Sequence, residues 1–127
     1  MKAKKTVLTD LELEVMKAVW QRGEATVRDV YEEMAAQRKI AYTTALTMMG
    51  ILEQKGYLKK TAGERAYIYR PAHPQKQVVG GMVKEFVNRV FSGSAKPLLV
   101  HLAESREISK EDLDEIAGLL KERRKQR

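Results

Sequence analysis

Thr43, Thr44 and Thr47 are the residues whose types and spacing carry the most chemistry in this chain. At helical spacing the three share one face near a helix N-terminus. Each offers a hydroxyl to a base edge or a phosphate, and a methyl to the methyl of thymine. Leu46 and Ile51 lie on the same side. Leu46 either meets a thymine methyl or sugar edge, or packs against a neighbouring element. Packing is the better account of Ile51, which stands further from the N-terminal end. Tyr42 either bonds a phosphate through its hydroxyl or packs over the preceding helix. Arg38 and Lys39 come just before this face, and Lys59, Lys60 and Arg65 come after it. Cations in those places suit phosphate contacts, which position a protein on a duplex without reading its sequence. Arg65, at the tip of a turn, is also placed to enter a minor groove. Any one of them is compatible with an idle surface charge; their clustering around one hydroxyl face is the signal.

Other chemistries find little to work with. The chain has no cysteine, which excludes disulfides, a thiol nucleophile and a thiolate metal site. His73 and His101 are far apart and have no visible partners. There is no Gly-rich phosphate loop and no nucleophile elbow. The expectation is a protein that is not an enzyme and holds neither cofactor nor metal. At 127 residues, with 43% hydrophobic and 32% charged, the length suits one medium domain or two small ones. No apolar run approaches a membrane span. The start, Met1-Lys-Ala-Lys-Lys5, is basic but leads straight into Asp10 and Glu12, unlike a signal peptide. A soluble, cytoplasmic protein is expected.

The net charge of +7 favours a polyanionic partner only weakly by itself. Its distribution says more. Residues 10–35 hold seven acidic and three basic side chains. Residues 36–70 hold seven basic ones (Arg38, Lys39, Lys55, Lys59, Lys60, Arg65 and Arg70) against Glu53 and Glu64. A second basic cluster, Lys121, Arg123, Arg124, Lys125 and Arg127, closes the sequence, where a helix C-terminus favours cations in any case.

The elements that must position these residues can be read from local signals. Thr9-Asp-Leu-Glu12 is a capping box, with Leu8 and Leu13 as its hydrophobic staple. Val15, Met16, Val19 and Trp20 form the apolar face of the helix it starts, and Gly23 stops it. Thr26-Val-Arg-Asp29 starts a second helix with Val27, Val30, Tyr31 and Met34 inside. After a break at residues 37–41, a third helix runs from about Tyr42 to Lys55, capped by Gly56. Its core stripe is Ala45, Met48, Met49 and Leu52, opposite Thr43, Thr44, Leu46, Thr47, Gly50 and Ile51. Residues 58–61 and 66–70 read as a hairpin around Ala62-Gly-Glu-Arg65, ended by Pro71 and Pro74. Three helices and a hairpin predict a winged helix-turn-helix DNA-binding domain over residues 1–74.

Residues 75–127 read as three amphipathic helices. The first, about 75–91, carries Val79, Met82, Val83, Phe86 and Val90 on one face. Ser92-Gly-Ser-Ala breaks it. Pro97 suits the first turn of a short helix with Leu98, Leu99 and Leu102. Ser109-Lys-Glu-Asp112 caps the last, whose stripe is Leu113, Ile116, Ala117 and Leu120. So small a segment has too little core of its own. Its stripes predict a helical dimerisation domain that pairs with a second copy, and the alternative is packing back onto the winged helix. The fold class is mainly α.

With these elements placed, the chain resembles the BlaI/MecI/CopY family of bacterial penicillinase repressors. The resemblance rests on Leu8-Thr-Asp-Leu-Glu-Leu-Glu-Val-Met-Lys-Ala-Val-Trp20 and Ala41-Tyr-Thr-Thr-Ala-Leu-Thr-Met-Met49, then on Leu52-Glu-Gln-Lys-Gly-Tyr-Leu58 and Arg65-Ala-Tyr-Ile-Tyr-Arg-Pro71. It implies a homodimeric repressor of inverted-repeat operators, often before β-lactamase genes. It also implies a membrane metallopeptidase sensor as partner, and a cut in the dimerisation domain that weakens the dimer. The family's cut falls at an Asn-Phe bond; by position this sequence has His101-Leu102 there. The copper-responsive branch carries a cysteine cluster that this chain lacks. Staphylococcal-type members carry basic residues where this recognition helix has Thr43 and Leu46, so a different operator is implied. Two other classes compete: a protein-interaction module meeting a partner through Leu46 and Ile51, and a ligand-gated winged-helix repressor with an apolar pocket lined by the Met-rich third helix and the stripe of residues 79–90.

Overall fold

A computed structural model describes residues 7–125. The basic start, Met1-Lys-Ala-Lys-Lys5, and Arg127 of the basic tail lie outside the described residues. Helix α1 spans Asp10–Arg22. The Thr9 amide donates to Glu12 Oε1 at 3.0 Å, and the Glu12 amide donates to Thr9 Oγ1 at 3.2 Å. Two of the helix's orphan N-terminal groups are thus satisfied by the sequence itself. Val15, Met16 and Val19 are fully buried, and the Gly23 amide closes the helix on the Val19 carbonyl at 2.8 Å. Helix α2, Val27–Ala35, starts with a second reciprocal box between Thr26 and Asp29.

Helix α3, Tyr42–Gln54, has Ala41 as its N-cap and no side-chain cap. Ala45, Met49 and Leu52 are fully buried, and Met48 packs against them half-buried. The helix ends in a Schellman motif. The Tyr57 amide reaches the Leu52 carbonyl at 2.9 Å and the Gly56 amide reaches that of Glu53 at 3.0 Å. Gly56 has φ +89°, which a residue with a Cβ adopts only at a steric cost.

Strands β1 (Leu58–Ala62) and β2 (Tyr67–Pro71) pair antiparallel, from Leu58 opposite Pro71 to Ala62 opposite Tyr67. The first strand is one residue longer than expected and the second lies one residue later. Ala62 and Pro71 join the ladder, and Ala66 leaves it to accept from the Gly63 amide at 2.9 Å. A Cβ on Gly63 would stand 2.5 Å from that carbonyl oxygen, so the turn needs glycine there. Pro71 is tolerated because it sits at the last rung, where a missing N–H costs least. Ala25, just before α2, exchanges backbone bonds with Tyr69 at 2.9 and 2.8 Å. The buried Leu58 and Tyr69 then anchor the wing in the core.

Helix α4 spans Gln75–Phe91. The chain forms two compact units, the first ending at Met82 and the second beginning at Val83. In the first unit the Trp20 indole donates to the His73 carbonyl at 3.0 Å, and Val78 and Met82 pack against the winged-helix core. Met82 was expected on the stripe offered to a second copy; part of its surface is spent inside its own chain. In the second unit, Ser92 and Gly93 end α4 with positive φ. Helix α5, Lys96–Glu104, has Pro97 in its first turn, and α6, Lys110–Lys125, is capped by reciprocal bonds between Ser109 and Asp112. Val87 is the one buried residue described in this unit; neither α5 nor α6 buries any.

Candidate nucleic-acid interface

The recognition face is built on α3. Thr43, Thr44, Leu46 and Thr47 are all exposed, Leu46 at 47%. Three of them, Thr43, Thr44 and Thr47, border with Met48 a shallow concavity of about 230 Å³. The opposite stripe of the same helix is what holds the face rigid, since Ala45, Met49 and Leu52 have no solvent exposure. Gly50 and Ile51, expected on the exposed side, are half-buried. Packing therefore accounts for part of Ile51. Tyr42 sits edge-on to Tyr31 of α2, with centroids 5.6 Å apart, and keeps 43% of its surface exposed. It packs over α2 and still leaves part of its surface open to solvent.

The cations divide into two groups. Arg38 is held by Glu14 of α1 at 2.6 Å, and Lys60 lies 3.6 Å from Glu53 of α3 and 4.4 Å over the Tyr67 ring. Lys55 and Arg70, counted in the same basic stretch, are also paired, with Glu12 at 2.8 Å and Glu24 at 2.7 Å. Among the described residues, Lys39, Lys59 and Arg65 are in no such pair. The girdle around α3 is therefore narrower than the charge count suggests. Its free members are one residue before the helix, one on β1 and one at the wing tip. Of the carboxylates responsible, Glu53 lies in the basic stretch itself, and Glu12, Glu14 and Glu24 belong to the acidic stretch of residues 10–35, where the sequence marks only Glu12, as a helix cap. The cations that Glu12, Glu14 and Glu24 hold lie far along the chain, and no local signal marks those pairings.

The Glu12–Lys55 pair shapes the electrostatics of the fold more than of the face. Glu12 is 3% exposed, and burial on its own raises its pKa. The Lys55 hydrogen bond, the Thr9 amide, the Lys55 charge and the Thr9 hydroxyl outweigh burial and hold it below the usual carboxylate range. The pair ties the first turn of α1 to the end of α3.

The remaining candidates fall in the second unit, apart from Val79 and Met82. Val83, Phe86 and Val90 on α4, Leu99 on α5, and Leu113 and Leu120 on α6 are each between 40% and 57% exposed. Leu98, Leu102 and Ile116 are half-buried, as is Val79 in the first unit. Val100, at 43%, and Leu119, at 65%, are exposed too and were not among the expected residues. Val87 was missed as well, although it stands one helical turn after Val83. His101 is exposed on α5, and the His101-Leu102 bond lies inside that helix. Among the described residues no cluster of three His, Cys, Asp or Glu is placed to hold a metal ion, and no helix is long and apolar enough to cross a membrane.

A rigid helix with an uncharged hydroxyl face, a β wing, and unpaired cations on both sides define a winged-helix protein laid out for DNA. The chain belongs to the penicillinase repressor family, whose pattern it matches over residues 8–122. It is 40% identical over 104 residues to the transcriptional regulator BlaI of Mycobacterium tuberculosis, covering 80% of this chain and 75% of that protein. It is 26% identical over 115 residues to the penicillinase repressor of Bacillus licheniformis, covering 91% and 90%. Among solved structures it is similar to the DNA-binding domain of the repressor BlaI, with a TM-score of 0.52 and 28% identity over 58% of this chain and 90% of that one.

Proposed function

We propose that this chain is a transcriptional repressor that binds operator DNA as a homodimer, each copy laying the N-terminal half of α3 in a major groove. The observation that carries the reading is the exposed Thr43, Thr44, Leu46 and Thr47 face, bounded by the unpaired Lys39, Lys59 and Arg65. Residues 1–74 serve as the DNA-binding domain and residues 75–127 as the dimerisation domain. A single copy leaves Val83, Phe86, Val90, Leu99 and Leu120 in water, which supports the homodimer. A two-fold dimer of helix-turn-helix domains reads an inverted repeat. The protein works in the cytoplasm with no cofactor or metal.

The regulated genes are those for β-lactamase or a related activity, and the signal is a membrane metallopeptidase that cuts the repressor near His101-Leu102. That bond is helical: the Ser105 amide bonds the His101 carbonyl at 3.0 Å and the Glu107 amide bonds that of Leu102 at 2.9 Å. A protease takes an extended strand, so the last turn of α5 must open first. Few buried contacts hold it closed.

The test is a binding-site selection from random duplexes, followed by a salt series on the selected operator. The expected log–log slope is about −0.9 for each phosphate contacted. A slope near zero removes the phosphate contacts. Failure to bind any duplex at low salt hands the α3 face to a protein partner instead.

A further inference from the structure

Helix α6 carries its charge in two blocks. After Lys110, Glu111, Asp112, Asp114 and Glu115 open it, and Lys121, Arg123, Arg124 and Lys125, with Glu122 among them, close it. The backbone dipole accounts for the sign of each block. It does not account for the apolar face between them. Leu113 is 43% exposed, Leu120 57% and Leu119 65%, and the helix buries no residue at all. Among the described residues no ion pair involves any of these charges. One copy of the chain buries none of the apolar groups of α6 and, apart from the Asp112 carboxylate that accepts from the Ser109 amide, gives its charged groups no partner.

We propose that α6 pairs antiparallel with α6 of a second copy, so that each acidic block lies against the other's basic block. This rests on the homodimer reading above and specifies which surfaces meet. At 3.6 residues per turn, Leu113, Ile116, Ala117 and Leu120 form the middle of the stripe. Asp112 and Arg123 border it on one side, and Asp114 and Lys121 on the other. A two-fold axis through the stripe turns the helix end over end and keeps each border on its own side. Asp112 of one copy then meets Arg123 of the second, and Asp114 meets Lys121, each pair formed twice. The parallel arrangement would stack acid on acid and base on base. Like charges opposed in this way are the recurrent device against wrong pairings.

The experiment uses the full chain in two reversed forms. One carries Asp112→Arg and Asp114→Lys, and the other Lys121→Glu and Arg123→Asp. Each alone is expected to self-associate roughly tenfold or more weakly than wild type by sedimentation, since four attractions become four repulsions. An equimolar mixture, with one form tagged, is expected to form mixed dimers in preference to either like pair, short of wild-type strength by the Ser109–Asp112 cap that Asp112→Arg removes. Reversed forms that each dimerise like wild type, or a mixture without preference for mixed dimers, overturn the pairing. Should a reversed form lose helix on its own, its recovery in the mixture supports the pairing and its failure to recover overturns it. A wild-type chain that sediments as a monomer overturns the dimer reading itself, a result distinct from a dimer indifferent to the reversals.

Discussion

Arg38 and Lys39 are neighbours in sequence and differ in what they can offer a phosphate. Arg38 is already neutralised by Glu14, and a phosphate must displace that carboxylate to use it. Lys39 is in no such pair. The same contrast separates Lys60, held near Glu53, from Lys59. Replacing Lys39, Lys59 or Arg65 by alanine is therefore expected to shrink the salt slope of operator binding by about 1 each, weakening all sequences alike. Arg38→Ala and Lys60→Ala are expected to change the slope less. A filter-binding salt series on the five variants separates the two groups, and equal effects in all five would remove the distinction. The threonines act differently because they are neutral. Thr47→Ala or Thr43→Ala is expected to cost about 1–3 kcal/mol against the cognate site if the residue reads a base. The salt slope should stay where it was. A variant that discriminates cognate from scrambled duplex as well as wild type takes its residue out of the readout.

The elements show which signals are local and which are not. The side-chain caps at Thr9, Thr26 and Ser109 are legible in sequence because their partners stand three residues away. The core stripe of α3 is legible for the same reason, since helical periodicity decides it. The hairpin's strand bounds differ by one residue because pairing, not propensity, sets them, and the Ala25–Tyr69 bridge joins segments no local pattern connects. The Glu12–Lys55 pair, 43 residues apart, is the costliest miss. Its consequence is a pH dependence. Glu12 has its pKa lowered in the folded state, so it contributes stability above the ordinary carboxylate pKa, and that contribution is lost as pH falls through the lowered value. Lys55→Met leaves the buried carboxylate without its cation and is expected to destabilise the first unit by about 3 kcal/mol near neutral pH. The gap from wild type should narrow as pH falls through the lowered Glu12 value, where the carboxylate becomes protonated in wild type as well. Denaturant midpoints at neutral and acid pH check this. A gap that stays constant would mean that Lys55 acts by packing its stem.

At the scale of the molecule, two units differ in how they are held. The first has a core that closes on itself; the second buries Val87 and little else described. That division explains why composition predicts a globular protein while the second half looks unfinished in one copy. Phe86 is a direct probe of what completes it. It is 40% exposed and stands edge-on to Phe91 at 5.9 Å, so a charge there need not disturb a closed core. Phe86→Asp is expected to turn the dimer into a monomer by sedimentation, with the winged helix still folded and its binding to a single half-site unchanged. Binding to the full inverted repeat should then fall by about a hundredfold or more, because two linked half-sites bind with an effective concentration that separate chains lack. A loss on full and half sites alike would place the damage in the DNA-binding unit. A Phe86→Asp chain that remains dimeric would take Phe86 out of the interface and leave α5 and α6 to carry it.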